Sequence, residues 1–188
     1  MAEALEDAVE AKDKRVALLI AILALFLALS EAAGKNAQHR STEQNIEASD
    51  LYNFYQAKKI RASMAESDIA QMEIGRQAAS DPKVQEAMDK QIMTWKGMVA
   101  HYETDKKDGT EALLERAKET MEGRELSNQR LEHYENASGL LQIAIVLASA
   151  AIITGIAALI WVSIGLGAAG AALMAFGYFA PTALKFFG

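Results

Sequence analysis

The sequence predicts an all-α integral membrane protein with three transmembrane helices and an extramembrane antiparallel helical-hairpin or coiled-coil stalk. Three observations predict it. Residues 16–30 and 137–184 contain no charged side chain. Residues 35–136 carry 15 of the 19 Lys and Arg and 19 of the 25 Asp and Glu. The 188 residues hold two prolines, Pro82 and Pro181, so helix can run nearly throughout. Such segregation fits the ends to hydrocarbon and the middle to water.

Residues 1–15 form an N-terminal polar segment that ends in Lys12-Asp13-Lys14-Arg15. Transmembrane helix 1 is placed at 16–34. Its run VALLIAILALFLAL and the small residues after it give about 19 positions, enough for a ~30 Å hydrocarbon core at 1.5 Å per residue. A cleaved signal peptide is the competing reading, and Glu31 in the cleavage region weakens it.

Residues 35–136 form the charged helical extramembrane domain. Ala48, Leu51, Tyr55, Ala62, Ala65, Ile69, Met72 and Ala79 recur at spacings of three and four, with Lys58 and Arg76 in the same stripe. This is a heptad-like seam with two charged interruptions. The first membrane helix can continue outward through it, with Asn36 and Asn45 as the places for a break. Ser80-Asp81-Pro82 stops one helix and starts the next, since proline suits a first turn and Ser or Asp an N-cap. That next helix runs to about Thr104, with Val84, Met88, Trp95, Met98 and Tyr102 along one face. A polar break follows at 105–109. Thr110 then caps a helix whose expected buried face is Leu113, Leu114, Ala117, Met121, Leu131 and Tyr134.

Residues 35–79 as one straight helix climb about 67 Å, and 82–104 with 110–136 descend about 75 Å. An up-and-back hairpin therefore closes, whereas a three-helix bundle requires a broken first segment. Residues 137–185 are expected to be a transmembrane hairpin, with spans at 138–160 and 164–184 and a turn at 161–165 beside an interfacial Trp161.

Little in the chain points to catalysis. Without cysteine there is no disulfide, thiolate metal site or thiol nucleophile. His39, His101 and His133 are far apart and expected on the surface, with no His-x-x-x-His or Glu-x-x-His spacing for a metal. No phosphate-binding glycine loop or nucleophile elbow occurs, so neither a cofactor nor an enzyme is expected. A net charge of −6 argues against nucleic acid as a partner.

The residues singled out for function are few. Glu31 is the one ionisable group within a predicted membrane segment, and such groups are functional suspects. An interfacial carboxylate is its simpler role; lining a pore is the alternative. Gln142, Ser149 and Thr154 are expected to hydrogen-bond between helices. Gly155, Gly167 and Gly170, with Ala151 and Ala171 at four-residue spacings, permit close helix packing in the hairpin or between subunits. In the stalk, Leu51, Phe54, Tyr55, Lys58 and Arg61 place aromatics and cations a turn apart, as an interface between helices would.

The same stretch carries a resemblance. Ala48-Ser49-Asp50, then Phe54-Tyr55-Gln56-Ala57-Lys58 and Ile60, resembles the signature of an uncharacterised bacterial family of small membrane proteins, the domain of unknown function four-three-three-seven. That family has one N-terminal span, a charged helical middle and an apolar C-terminal hairpin. The motif covers about a dozen residues, and the layout covers the chain. The resemblance implies a bacterial origin and a membrane address; it brings no activity, cofactor or catalytic residue.

Three spans put the N-terminus on one side and the middle domain on the other. Lys12, Lys14 and Arg15 favour an N-terminus in the cytoplasm of a bacterial inner membrane, against Lys35, Arg40, Arg124, Arg130 and Lys185 beside the spans on the other side. The expected role is a non-enzymatic, membrane-anchored, homo-oligomeric scaffold or interaction module, with the lipid bilayer and further copies as partners. The alternatives are an oligomeric ion channel or transport component, or an accessory subunit that binds other proteins.

Overall fold

Between residues 2 and 78 the chain has no proline and only two glycines, Gly34 and Gly75, and it forms one uninterrupted helix, α1 (Ala2–Ala78). The computed structural model describes the backbone of residues 2–183 and the side chains of 14–183. Three further helices follow: α2 (Pro82–Thr104), α3 (Thr110–Thr154) and α4 (Ala157–Phe179). The described residues form an all-α protein. Neither Asn36 nor Asn45 breaks α1; each falls on an apolar-to-polar stretch where i→i−4 hydrogen bonding continues.

The chain divides into two units: residues 43–123, and residues 1–42 with 124–188. In the first, α1 and α2 are separated by a three-residue break. Asp81 is extended (φ −85°, ψ 119°), and its Oδ1 accepts the Lys83 N–H at 2.9 Å, with Pro82 at the first helical position. Gln85 Nε2 donates to the Ala79 carbonyl at 2.7 Å, satisfying a group left over at the end of α1. The second break is built on Asp105, whose Oδ1 accepts the N–H groups of Lys107 and Asp108 at 2.8 and 2.7 Å. A side chain at Gly109 would collide with the Asp105 and Glu103 carbonyls, so glycine is required there.

The three-and-four stripe on α1 is the side this unit covers. Ala48, Leu51, Ala62 and Ile69 are buried, and Tyr55, Lys58, Ala65, Met72 and Arg76 are half-buried. Leu51 packs with Leu113 and Ala117 of α3, flanked by Tyr52 and Tyr55. Towards α2, Glu73 pairs with Lys96 at 2.8 Å, Lys59 with Glu103 at 3.5 Å, and Arg76 with Asp89. All three pairs are solvated and screened by water, so apolar burial holds this unit and the charges set its register.

Three expectations about helix faces are corrected here. Val84 and Met98 are exposed on α2, where Ile92 is buried and Met88, Trp95, Val99 and Tyr102 are half-buried. A strict alternation of three and four runs through Ile92 and Val99 and bypasses the two exposed residues. Met121 is exposed on α3, four residues beyond the fully buried Ala117.

In the other unit α3 is the central element. Ala137, Leu141, Ala144, Ala148 and Ala151 form one buried face, and Leu23 of α1 packs on Leu141 and Ala144. Ser30 donates to the Tyr134 carbonyl at 2.9 Å, and Ser163 of α4 to the Ala144 carbonyl at 2.7 Å; both hydroxyls are fully buried. From α4, Gly167 faces Leu23, Gly170 faces Leu141 and the Ala137 carbonyl, and Gly177 faces His133 and Tyr134. Ser149 and Thr154, expected to bridge helices, instead donate to Ile145 and Ala150 within α3. A hydroxyl reaching i−4 is satisfied without a neighbour.

The turn of the C-terminal hairpin also differs from expectation. Trp161–Gly165 is helical, and the chain reverses at Gly155–Ile156. Gly155 has φ +71°, its N–H donates to the Ala151 carbonyl at 3.0 Å, and the Ile156 N–H reaches Thr154 Oγ1 at 3.4 Å. A left-handed residue just past the last helical turn is a glycine helix stop. Trp161 instead lies exposed in the second turn of α4. The apolar segments are thus the end of α3 to Thr154 and α4 from Ala157, not 138–160 and 164–184. Lys12, Leu184 and Lys185 lie outside the residues whose side chains are described.

Among the described residues, three helices, α1, α3 and α4, are long and apolar enough to cross a membrane.

Gly170→Val should destabilise this unit by about 1–3 kcal/mol, because a Cβ there would lie 2.9 Å from Leu141 Cγ and 3.1 Å from a backbone oxygen. Gly165→Ala, with nothing within 4 Å, is the control and should leave stability near wild type. Unfolding of the detergent-solubilised protein by sodium dodecyl sulfate, followed by circular dichroism, compares them.

Candidate functional site

Among the described residues, the clefts considered for polar chemistry each lie within a single unit. The first brings together two residues singled out from the sequence. On α1, Glu31 and Lys35 are one turn apart beside Ser30 and Gln38; on α3, Glu135, Ser138 and Gln142 follow the same helical spacing. Between them is a cleft of about 460 Å³ floored by Gly34 and Tyr134. A methyl group added at Gly34 would lie 3.5 Å from Tyr134 Cβ, an ordinary van der Waals contact. Glu31 and Gln142 are exposed and face this cleft from opposite helices. Two carboxylates, an ammonium and two amides can bind a small cation or polar group.

The second cleft, about 570 Å³, lies on the opposite side of Tyr134. Asn36 and Arg40 of α1, Ser127 and Arg130 of α3, and Tyr178 of α4 surround it. Ser41 donates to Asn128 Oδ1 at 2.5 Å and clamps the adjoining turns of α1 and α3. The end of α4 is fixed where His133 Nε2 lies 3.0 Å from the Pro181 carbonyl. His133 is therefore buried, which corrects the expectation of three surface histidines; His39 and His101 are exposed.

The third cleft belongs to the charged unit. Ile46, Leu51, Phe54 and Leu113 line about 610 Å³, rimmed by Glu43, Glu47, Asp50, Asp108 and Arg116. Beside it, Lys58 Nζ sits 5.0 Å from the centre of the Phe54 ring and donates to the Asp108 carbonyl. Leu51, Tyr55 and Lys58 thus touch the return segment. Phe54 and Arg61 are exposed, because each sits off the three-and-four stripe. Asp108 and Lys107 N–H groups hold the Asp105 carboxyl below its ordinary value, with smaller help from His101 and Lys58. The Arg76 guanidinium is raised by its hydrogen bond and charge pairing with Asp89.

Among the glycines, Gly167 and Gly170 are contact glycines and Gly155 is a turn glycine with open space around it. Sequence reasoning misses Ser30 and Ser163, two serines whose buried hydroxyls bond to a backbone carbonyl of another helix. Their signal is a small polar residue in phase with a glycine or alanine face, as Ser163 is with Gly167 and Gly170. Arg40 and Arg130 register in the sequence only as flanking charges. Among the described residues, no group of three His, Asp or Glu side chains is placed to hold a metal.

A family model, a domain of unknown function (DUF4337), matches residues 12–180. The chain belongs to this family. No curated protein and no solved structure matches the chain. The DUF4337 match spans all three apolar helices and the charged segment.

Because the Asp105 carboxyl is lowered by donors present only in the folded turn, its stabilisation is complete above about pH 4, the ordinary carboxylate value. It is lost as pH falls through the lowered folded value. Asp105→Asn should therefore melt below wild type at pH 7, and the gap should close as the pH falls through the lowered folded value. A constant gap across this range in thermal melts would show that the charge does not matter.

Proposed function

We propose that this DUF4337 protein is a non-enzymatic, membrane-anchored helical scaffold that self-associates through its charged unit. Its setting on this reading is the cytoplasmic membrane of a bacterium, with α1, the end of α3 and α4 as spans and the N-terminus in the cytoplasm. The anchoring rests on the outward faces of the apolar segments. Leu18, Leu25, Val146, Ile153 and Trp161 are exposed within the charge-free runs 16–30 and 137–184. Lipid is the solvent that such a surface fits.

One observation carries self-association. On α1, Ile46, Ile60 and Ile74 recur two heptads apart, with Met64 one turn beyond Ile60, and all four are exposed. They stand about 200° around the helix from the stripe that α2 and α3 cover, at about 100° per residue. A second heptad-spaced apolar stripe on an already partnered helix fits the same stripe of another copy. The family resemblance supports the bacterial setting and names no activity.

Ile60→Asp with Ile74→Asp should convert the solubilised protein from a defined oligomer to a smaller species while leaving it resistant to alkaline carbonate extraction from membranes. Light scattering coupled to size exclusion reads the mass. A wild-type protein that is monomeric both in mild detergent and when cross-linked in native membranes sinks the scaffold reading.

The cleft that unites Glu31, Lys35, Glu135 and Gln142 favours a second reading, an oligomeric ion channel or transport component. On that reading, proteoliposomes conduct cations above the empty-liposome background and Glu31→Gln reduces the flux severalfold. Flux equal to background disposes of it. An accessory role in a larger complex would appear as co-purifying subunits in a pull-down from native membranes.

A further inference from the structure

We infer that the cleft between Arg40 and Arg130 is a binding site for a phosphate group, carried by an anionic phospholipid at the edge of the apolar segments. The inference rests on the membrane reading above and adds a ligand to it. Arg40 and Arg130 approach one space from two helices, and among the described residues neither is ion-paired with an Asp or Glu. No carboxylate among the described residues lines the cleft. The Arg130 side chain is half-buried, and its Nε is buried without a hydrogen-bond partner, an N–H that a ligand oxygen in the cleft would satisfy.

The remaining lining suits the same chemistry. Asn36 supplies an amide, and Tyr134 and Tyr178 supply phenolic rings whose hydroxyls donate. Guanidinium groups present paired N–H donors that match phosphate oxygens, and two of them neutralise its charge. Depth selects the carrier. Arg40 is ten residues, about 15 Å, beyond the last residue of the charge-free run on α1, and Arg130 is seven residues, about 10 Å, before Ala137 on α3. Tyr178 belongs to the final turn of apolar α4, and tyrosine collects where headgroups meet acyl chains. A soluble phosphate would need no such apolar flank; a phospholipid would lay its chains along the exposed apolar faces below.

The full-length protein in mild detergent is titrated with dioleoylphosphatidylglycerol, with dioleoylglycerol, which lacks the phosphate, and with inorganic phosphate. Native mass spectrometry reads the adducts. The expected result is retention of phosphatidylglycerol, little retention of dioleoylglycerol, and no displacement by millimolar inorganic phosphate. Arg40→Gln with Arg130→Gln should weaken phosphatidylglycerol binding by about tenfold or more. Arg130→Lys, which keeps the charge and the fold but loses the paired donors, should weaken it severalfold. Lys106→Gln with Lys107→Gln, the same change of charge far along the chain, should not.

Equal losses from the lysine and arginine pairs would overturn the site, as would unchanged binding in both arginine variants. Arginine-dependent binding of inorganic phosphate that displaces the lipid would overturn the phospholipid as its source. Carbonate extraction is scored separately. A protein that stays in the membrane yet shows no arginine-dependent lipid refutes this inference alone, whereas a protein released by carbonate refutes the anchoring beneath it.

Discussion

Close approach to the backbone of α3 is the constraint on which the apolar unit depends. Ser30 and Ser163 each give a hydroxyl hydrogen to a carbonyl of α3 that already accepts within its own helix. Such bonds form only where helices nearly touch, and the alanines of α3 and the glycines of α4 make that contact possible. Leu141 and Leu23 then fill what the glycines leave open, so the leucines and the glycines form one interlocking set. In hydrocarbon, where burial of apolar surface gives no advantage over lipid, contact of this kind and the serine bonds are what remain to hold helices together.

The charged unit is held by a different balance. Its seam buries Leu51, Leu113 and Ala117 against water, and the surrounding ion pairs lie in solvent. Lys58 and Arg76 interrupt the seam, yet both find partners at its edge, the Asp108 carbonyl and the Asp89 carboxylate. A long cationic stem can lie along the apolar stripe while its head reaches the edge, which keeps the heptad spacing without burying a charge.

Much of this is legible in the sequence because period and charge carry it. The stripe from Ala48 to Met72, the Asp81-Pro82 restart and the break ending at Gly109 are local signals, each with a physical cause within a few residues. Membership in DUF4337 is legible from the short motif and the order of segments. The misplaced hairpin turn shows where such reading fails. Trp161 looks like an interfacial marker and draws the turn six residues too far, while the helix stop is Gly155, one glycine among many in a small-residue run. Within a uniformly apolar stretch, periodicity has no contrast, and only backbone conformation distinguishes a packing glycine from a turning one. The clefts are illegible for another reason. Glu31 and Gln142, or Arg40 and Arg130, are about a hundred residues apart, and their meeting depends on the pairing of α1 with α3.

The two-residue link at Gly155–Ile156 has a consequence for how the chain is made. A loop of that size holds no charged group and almost no free backbone, so carrying it across hydrocarbon costs little beyond the two helices themselves. The ends of α3 and α4 can therefore enter a bilayer together, already paired, as a wedge whose tip is a single left-handed glycine. The long charged segment that precedes them has no such route and requires machinery if it is to cross. Biosynthesis would then sort the chain into one half that inserts by its own chemistry and one half whose side is decided before that insertion begins.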